Sequence, residues 1–353
     1  MNNLLETTND DLNQWLVARG HQPYRAGQIR EWLFNRRATS FQEMTDLSQG
    51  LRDALSASFV LGTAEIATHH QAADGTEKLL LDFSGSQIEC VLLRDGIRRS
   101  ICISSQVGCA MGCVFCASGL DGVERNLSTA EMVEQMLQLA RLLPTDERLS
   151  HIVVMGMGEP LANLDNVLAA LVQATDPKGL GISPRRITIS TVGLPAAMRR
   201  LAAENPRFNL AVSLHAPNDE LRNQLVPVND KTGLEEIIGA ADEYFEASGR
   251  RLTYEYVLLG GLNDDPDHAY QLGRLLRGRP ALLNVIPYNP VAGLPYRTPS
   301  GDAQKEFRRI LEDGGLNVHF RQLKGDEINA ACGQLRRIKP TVVETIAPPS
   351  SQK

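Results

Sequence analysis

Three cysteines, Cys109, Cys113 and Cys116, fall within eight residues at spacings of four and three. Thiolates are soft ligands, and three of them on one short loop can hold three corners of a metal centre. A cubane iron–sulfur cluster has four irons, so three protein ligands leave one iron open to bind something else. A structural zinc ion would instead ask for a fourth ligand, such as Cys102. Both centres are open on the residues alone. The loop follows a strand-like run at residues 100–105, and a helix-like segment opens soon after, at Ser128-Thr129-Ala130-Glu131.

The chain around this loop has 353 residues, room for one large domain and an accessory unit. With 42% hydrophobic and 22% charged residues it is ordinary for a globular protein. No apolar run reaches the roughly 18 residues of a membrane span, and Met1-Asn2-Asn3-Leu4-Leu5-Glu6 lacks a basic-then-apolar leader. The expectation is a cytoplasmic protein in a reducing compartment. There, six cysteines point to metal or redox chemistry rather than to a disulfide framework. A net charge of −6 argues against a uniformly basic nucleic-acid coat. The local cluster Arg19, Arg25, Arg30, Arg36 and Arg37 is the better candidate for phosphate contacts.

The elements that must position the loop follow from periodicity. Residues 8–58 read as three short helices, the first carrying Leu12, Trp15 and Leu16, the second Ile29, Trp32 and Leu33. Residues 76–83 and 86–93 are strand-like, with Asp74-Gly75 and Asp95-Gly96 as hairpin turns. From Arg99 onward, strands predicted at 101–104, 151–155, 186–190, 209–213, 252–258, 282–286 and 318–320 alternate with helices near 129–143, 163–175, 194–204, 234–247, 266–277 and 302–313. This alternation predicts parallel strands with right-handed crossovers, and about six repeats suit an open, partial barrel. Chemistry in such folds sits at the carboxyl ends of the strands. Glycine-rich or polar residues stand there: Met155-Gly156-Met157-Gly158-Glu159-Pro160, Ser190-Thr191-Val192-Gly193, Ser213-Leu214-His215 and Pro287-Tyr288-Asn289-Pro290. The predicted organisation is a helical accessory domain at 1–60, a small β extension at 61–98, a partial (β/α)6 barrel at 99–337 and a disordered tail at 338–353.

A triple-cysteine loop after the first strand, followed by Gly-Glu-Pro at the second, resembles the radical S-adenosylmethionine superfamily. The wider context is more specific. The segments 102–109, 155–160, 213–219 and 330–335, the last reading Ala-Ala-Cys-Gly-Gln-Leu, are similar to the RlmN/Cfr family of RNA adenosine methyltransferases. The likeness runs from about Tyr24 to Leu335, and Ala110-Met111 brings it nearer the RlmN branch. It implies that Cys109, Cys113 and Cys116 hold a [4Fe-4S] cluster. It implies S-adenosylmethionine contacts from Gly158, Glu159, Ser190, Ser213, Leu214, His215 and Asn289. Cys332 would carry a methyl group, Cys102 would release the product by thiol–disulfide exchange, and Glu89 would act as general base. The implied substrate is adenine C2 in 23S ribosomal RNA, with transfer RNA beside the anticodon as a further target. The base would be flipped from its stack, with the N-terminal unit docking the RNA. A flavodoxin or ferredoxin would donate electrons, and a monomer is expected.

Some positions depart from the family pattern. Glu327-Ile328-Asn329 replaces Asp-Ile-Asp, Ser118 replaces Thr, Leu120-Asp121 replaces a Gln-containing pair, and Leu225-Val226-Pro227-Val228-Asn229 is a conservative variant. None removes a reacting group. Cys90, His69, His70 and His319 match no role and are read as packing or surface residues. Methylation at C8, a radical enzyme acting on another substrate, and a zinc-bearing RNA-binding protein stay as alternatives.

Overall fold

Alternating short apolar strands and amphipathic helices build one ten-stranded sheet. The computed structural model describes residues 1–204, 207–321 and 324–336, so the tail predicted at 338–353 lies outside the described residues. Its strands are β1 Glu65–Gln71, β2 Glu77–Phe83, β3 Ser86–Asp95, β4 Arg98–Cys102, β5 His151–Val154, β6 Ile187–Thr191, β7 Asn209–Ser213, β8 Leu252–Leu258, β9 Ala281–Pro287 and β10 Asn317–Phe320. Each strand pairs with its neighbours in sequence. The ladders β1 to β4 are antiparallel, and β4 to β10 are parallel. The strands expected as a β extension therefore continue the barrel's own sheet.

The N-terminal helices are α1 Asn9–Val17, α2 Arg25–Arg30 and α3 Gln49–Ser58, with side-chain caps from Thr8 on α1 and Ser48 on α3. The parallel strands are joined by α4 Thr129–Arg141, α5 Leu164–Thr175, α6 Pro195–Glu204, a crossover carrying α7 Asp219–Leu225 and α8 Leu234–Ser248, then α9 Pro266–Leu275 and α10 Gly301–Asp313. This is the open, partial (β/α)6 barrel that the strand–helix alternation predicts. Among the elements that escaped sequence reasoning, two did so for plain reasons. Strand β1 is an exposed edge strand of mostly polar residues, and α7 is short and reads as a polar loop. Among the described residues no helix is long and apolar enough to cross a membrane.

Register decides which side chains face the barrel's inside. Paired residues of adjacent strands point to the same face. One set runs Cys102, Val153 and Thr188, a second runs Ser190, Ala211 and Thr253, and a third runs Ser213, Glu255, Asn284 and His319. On the antiparallel side Val91 pairs with Cys102 and Glu89 with Leu80, which adds Glu89 and Lys78 to the same face. The alternate residues pack outward against helices, as Tyr256 does on Phe307 of α10 with ring centroids 5.6 Å apart.

The N-terminal unit is bound to the barrel by specific donors. Arg37 gives hydrogen bonds to the carbonyls of Leu143 at 2.7 Å and Pro144 at 3.1 Å. Arg30 is buried, stacks on Phe34 at 4.9 Å and lies 3.7 Å from Asp176. These two arginines are spent on structure and leave the predicted phosphate cluster. Arg19 and Arg36 lie over the rings of Trp15 and Trp32, each at 4.2 Å, and Arg25 over Tyr24 at 4.9 Å. The connecting residues are held by buried Glu134 of α4, which accepts the amides of Thr63 at 2.8 Å and Ala64 at 2.9 Å.

The cysteine loop is framed by a small antiparallel pair, Gln106–Gly108 with Val123–Asn126. Gly108 has φ +78, and a Cβ there would sit 2.0 Å from the Gly122 carbonyl oxygen. Gly108→Ala should therefore stop the pair from closing. The left-handed backbone alone costs roughly 1–3 kcal/mol in a non-glycine residue, and the backbone clash adds to it. A lowered denaturation midpoint together with lost iron per chain is expected, and parental values for both would contradict this.

Candidate functional site

The three loop cysteines gather at the carboxyl end of the barrel. Their thiols influence one another: Cys113 feels Cys116 and Cys109, and Cys109 feels Cys116. Burial pushes the Cys109 thiol up to about 12 and raises Cys113 and Cys116 as well. Left alone, these groups stay protonated. They ionise when a cationic metal centre compensates the buried charge. Among the described residues no three His, Cys, Asp or Glu side chains converge on a point that one metal ion could occupy. Three soft thiolates on one loop suit three corners of a [4Fe-4S] cluster, whereas a structural zinc ion would ask for a fourth ligand.

Beside this loop lie the strand ends assigned to S-adenosylmethionine. Gly158 has φ +101, and a Cβ there would stand 2.6 Å from Gln106 Cβ, so only glycine permits this turn. The next residue, Glu159, donates its amide to Gln106 Oε1 at 2.8 Å. Its buried carboxylate accepts the Leu161 amide at 3.0 Å and the Val192 amide at 2.9 Å, one on each oxygen. Those bonds, with one from the Thr191 side chain, stitch the ends of β5 and β6 together. Ser190 and Ser213 are half-buried on the inner face, and Leu214 is fully buried, donating its amide to the Glu255 carbonyl at 2.9 Å.

His215 adopts φ 62 and packs edge-on against Phe115, with ring centroids 4.9 Å apart. Burial and the nearby Arg222 charge lower its pKa to about 3. The ring is therefore neutral, and because Nδ1 accepts the Val257 amide at 3.1 Å, its proton sits on Nε2. That makes Nε2–H a donor for a ligand. Asn289 is buried and its Oδ1 has no partner among the described residues, as is true of Ser105 Oγ. A buried amide oxygen left unpaired is costly, and a polar group on a ligand would supply what it lacks.

Cys332 reaches this chamber on the segment 324–336, which is held by polar contacts from three directions. Asn289 Nδ2 donates to the Cys332 carbonyl at 3.1 Å. The Ala117 amide, next to Cys116, donates to the Gly333 carbonyl at 2.8 Å, and Ser118 Oγ to the Leu335 carbonyl at 2.6 Å. Gln334 Nε2 reaches the Pro290 carbonyl at 3.0 Å. The departures from the family pattern fit this arrangement. Ser118 keeps the hydroxyl that binds Leu335, Glu327 accepts the Ala73 amide at 3.2 Å, and Asn329 tolerates φ 51. Cys102, at the end of β4, lies close enough to Cys332 for that neighbouring thiol to add to its own resistance to ionisation.

Glu89 lies on the inner face two residues along from Val91, the residue opposite Cys102, so it shares the face of Cys102 without standing directly across from it. Its carboxylate forms a buried ion pair with Lys78 at 2.7 Å. Cys90 points to the other face and is fully buried packing, as expected.

Four residues of this site escaped sequence reasoning. Lys78 was read only as part of an apolar strand. Arg222 of α7 is fully buried, and its guanidinium donates to the carbonyls of Leu214 and Ser213 at 3.0 Å each, and to Val192 and Asn229 Oδ1. Glu255 is buried beside Asn284, with its pKa raised to about 7 by burial. Arg321, just past β10, lies near Cys102, Cys332 and Glu255. Only the register of distant strands brings these groups together.

Burial and the neighbouring Cys332 push the Cys102 thiol up to about 12. An ordinary thiol near 8.5 levels off in reactivity above pH 9. In cluster-free protein, Cys102 alkylation by iodoacetamide should instead keep rising about tenfold per pH unit through pH 10. Peptide mass spectrometry follows it, and a plateau near pH 9 would contradict the assignment.

The comparisons with known proteins agree with this geometry. The family model for the radical SAM superfamily matches residues 103–273, and that for the ribosomal RNA large subunit methyltransferase N-terminal domain matches residues 2–61. A probable dual-specificity RNA methyltransferase RlmN of Rhodopirellula baltica is 65% identical over 345 residues, covering 98% of this chain and 93% of its own. The corresponding Bacillus subtilis protein is 43% identical, covering 93% and 91%. A crystal structure of a radical SAM methyltransferase from Sphaerobacter thermophilus superposes with a TM-score of 0.92 at 41% identity, over 95% of this chain and 99% of that one. Enzymes of this superfamily use a [4Fe-4S] cluster and S-adenosylmethionine, and the cysteines to hold the cluster are present. Fold, cysteine loop and relatives converge: the chain belongs to the RlmN family of radical SAM RNA methyltransferases.

Proposed function

We propose that this enzyme methylates C2 of an adenosine in large-subunit ribosomal RNA and, like its dual-specificity relatives, a transfer RNA adenosine beside the anticodon, using Cys332 as methyl carrier. The observation that supports this most strongly is the hydrogen bond from the Ala117 amide to the Gly333 carbonyl, 2.8 Å. It ties the residue after Cys332 to the residue after Cys116, so the carrier sits against the cluster loop.

When bound, the cluster and S-adenosylmethionine supply a methyl group and a 5′-deoxyadenosyl radical. The chain's own residues do the rest. Cys109, Cys113 and Cys116 hold the cluster. Gly158, Glu159, Ser190, Ser213, Leu214, His215 and Asn289 seat S-adenosylmethionine, with the neutral His215 donating through Nε2. Aromatic C2 is a poor nucleophile, so the Cys332 thiolate takes the methyl group first. Hydrogen loss from that methyl lets its carbon bond to C2, linking RNA to protein. Glu89 takes the C2 proton. Cys102, positioned beside Cys332, attacks its sulfur, forms a disulfide and frees the product. The exposed Arg19 and Arg36, with half-buried Arg25 beside them, offer charge for RNA phosphates. The domain bounds at residues 60 and 98 are part of this reading.

Nucleoside mass spectrometry of ribosomal and transfer RNA from cells with and without the gene tests the reaction. Loss of 2-methyladenosine on deletion is expected, whereas loss of the 8-methyl isomer or no change would contradict it. In the purified enzyme, Cys102→Ala should accumulate a covalent protein–RNA adduct and Cys332→Ala should give neither adduct nor product. An adduct in Cys332→Ala would overturn the carrier assignment.

A further inference from the structure

One buried ion pair grips the Cys332 segment at both ends. Lys78 Nζ lies 2.7 Å from Glu89 Oε1, with side-chain exposures of 9% and 8%. The same ammonium donates to the Asn329 carbonyl at 3.1 Å, and Glu89 Oε2 accepts the Arg336 amide at 2.8 Å. Asn329 and Arg336 stand on either side of Cys332. The two-residue turn Ser84-Gly85, with both φ positive, sets the register that makes Lys78 and Glu89 diagonal neighbours on the inner face. Neighbouring inward positions, Leu80 and Val91, are apolar and buried. An apolar pair would be as stable in this place, because burying two charges offsets most of their attraction. The charge therefore calls for a role other than stability.

We propose that Lys78 is a positioning residue for the proton-removal step, fixing the Glu89 carboxylate by the ion pair while tying it to the loop that carries Cys332. This rests on the reading of Glu89 as the base. In the covalent intermediate, C2 bears its original hydrogen and the methylene carbon bonded to the Cys332 sulfur. Restoring the aromatic ring sends that hydrogen, as a proton, to Glu89 and releases the odd electron, for which the iron–sulfur cluster that Cys109, Cys113 and Cys116 would hold would be the acceptor. The Cys102 thiolate then bonds to the Cys332 sulfur and the sulfur–carbon bond breaks. Its electron pair stays on the methylene carbon, and a proton completes the methyl group. Lys78 touches none of the reacting atoms. Its ion pair fixes where the acceptor carboxylate stands, and its bond to the Asn329 carbonyl ties the base to the carrier's loop.

The test compares Lys78→Gln, which keeps a hydrogen-bond donor without the charge, with Lys78→Arg, which keeps the charge. Lys78→Met is made alongside, so that a folding failure of one neutral variant leaves the other to decide. Each holoenzyme, with Cys102 intact, is incubated with RNA and S-adenosylmethionine, and three quantities are read: Cys332 methylation, covalent adduct and methylated adenosine. Neutral variants should methylate Cys332 normally and raise the adduct-to-product ratio about tenfold or more, and Lys78→Arg should restore the parental ratio. A parental ratio in the neutral variants, or loss of Cys332 methylation along with adduct and product, would overturn the proposal. Glu89→Gln separates the two readings. If it accumulates adduct while the Lys78 variants do not, the Lys78 assignment alone fails. If neither accumulates adduct, the base assignment fails and takes this one with it.

Discussion

Where parallel strands end and splay apart, their last backbone amides and carbonyls lose the partners a ladder provides. Leaving such groups buried and unpaired is expensive, and the rim of this barrel meets the constraint with buried polar side chains. Gln135 of α4 accepts the Ser104 amide at 2.8 Å and donates to its carbonyl at 3.0 Å. Asn163 serves the carbonyls of Ser105 and Leu127, each at 2.8 Å. Asn263 spans the His215 and Val257 carbonyls and the Leu259 amide. Arg222 gathers the ends of β6 and β7, and stays charged although burial lowers its pKa to about 10.

The rest of the site depends on this stitching. With their backbone satisfied from below, the strand-end loops hold Gly158, Ser213 and His215 in fixed, partly strained conformations facing the cysteine loop. The Cys332 segment joins the same scheme. Asn289, Ala117, Ser118, Lys78 and Glu89 hold it by hydrogen bonds that reach across long stretches of sequence, and Ala330 and Leu335 pack into the main apolar core.

Much of this was legible beforehand. The strand and helix periods gave the barrel within a few residues, since buried parallel strands read as short apolar runs. The cysteine spacing gave the metal centre, and the strand-end glycines and polar residues pointed to one rim. What escaped detection was polar and buried. Gln135, Glu134 and Arg222 look like the solvated faces of their helices, and burial cannot be read from residue type. The division of the arginine cluster, with Arg30 and Arg37 turned inward, depends on contacts with residues more than a hundred positions away. The Lys78–Glu89 pairing was within reach, because a two-residue turn sets register, but the turn lay at Ser84-Gly85 rather than at an Asp-Gly pair.

On the proposed reading, Cys332 is a methyl carrier held beside the cluster loop, with Cys102 as its release partner. The most direct measurement is the mass of the peptide containing Cys332 in enzyme isolated from cells with its cluster intact. A methyl group on the Cys332 sulfur, absent from Cys102 and absent when Cys109, Cys113 and Cys116 are replaced by alanine, is the expected result. An unmodified Cys332 in cluster-loaded, active enzyme would contradict it.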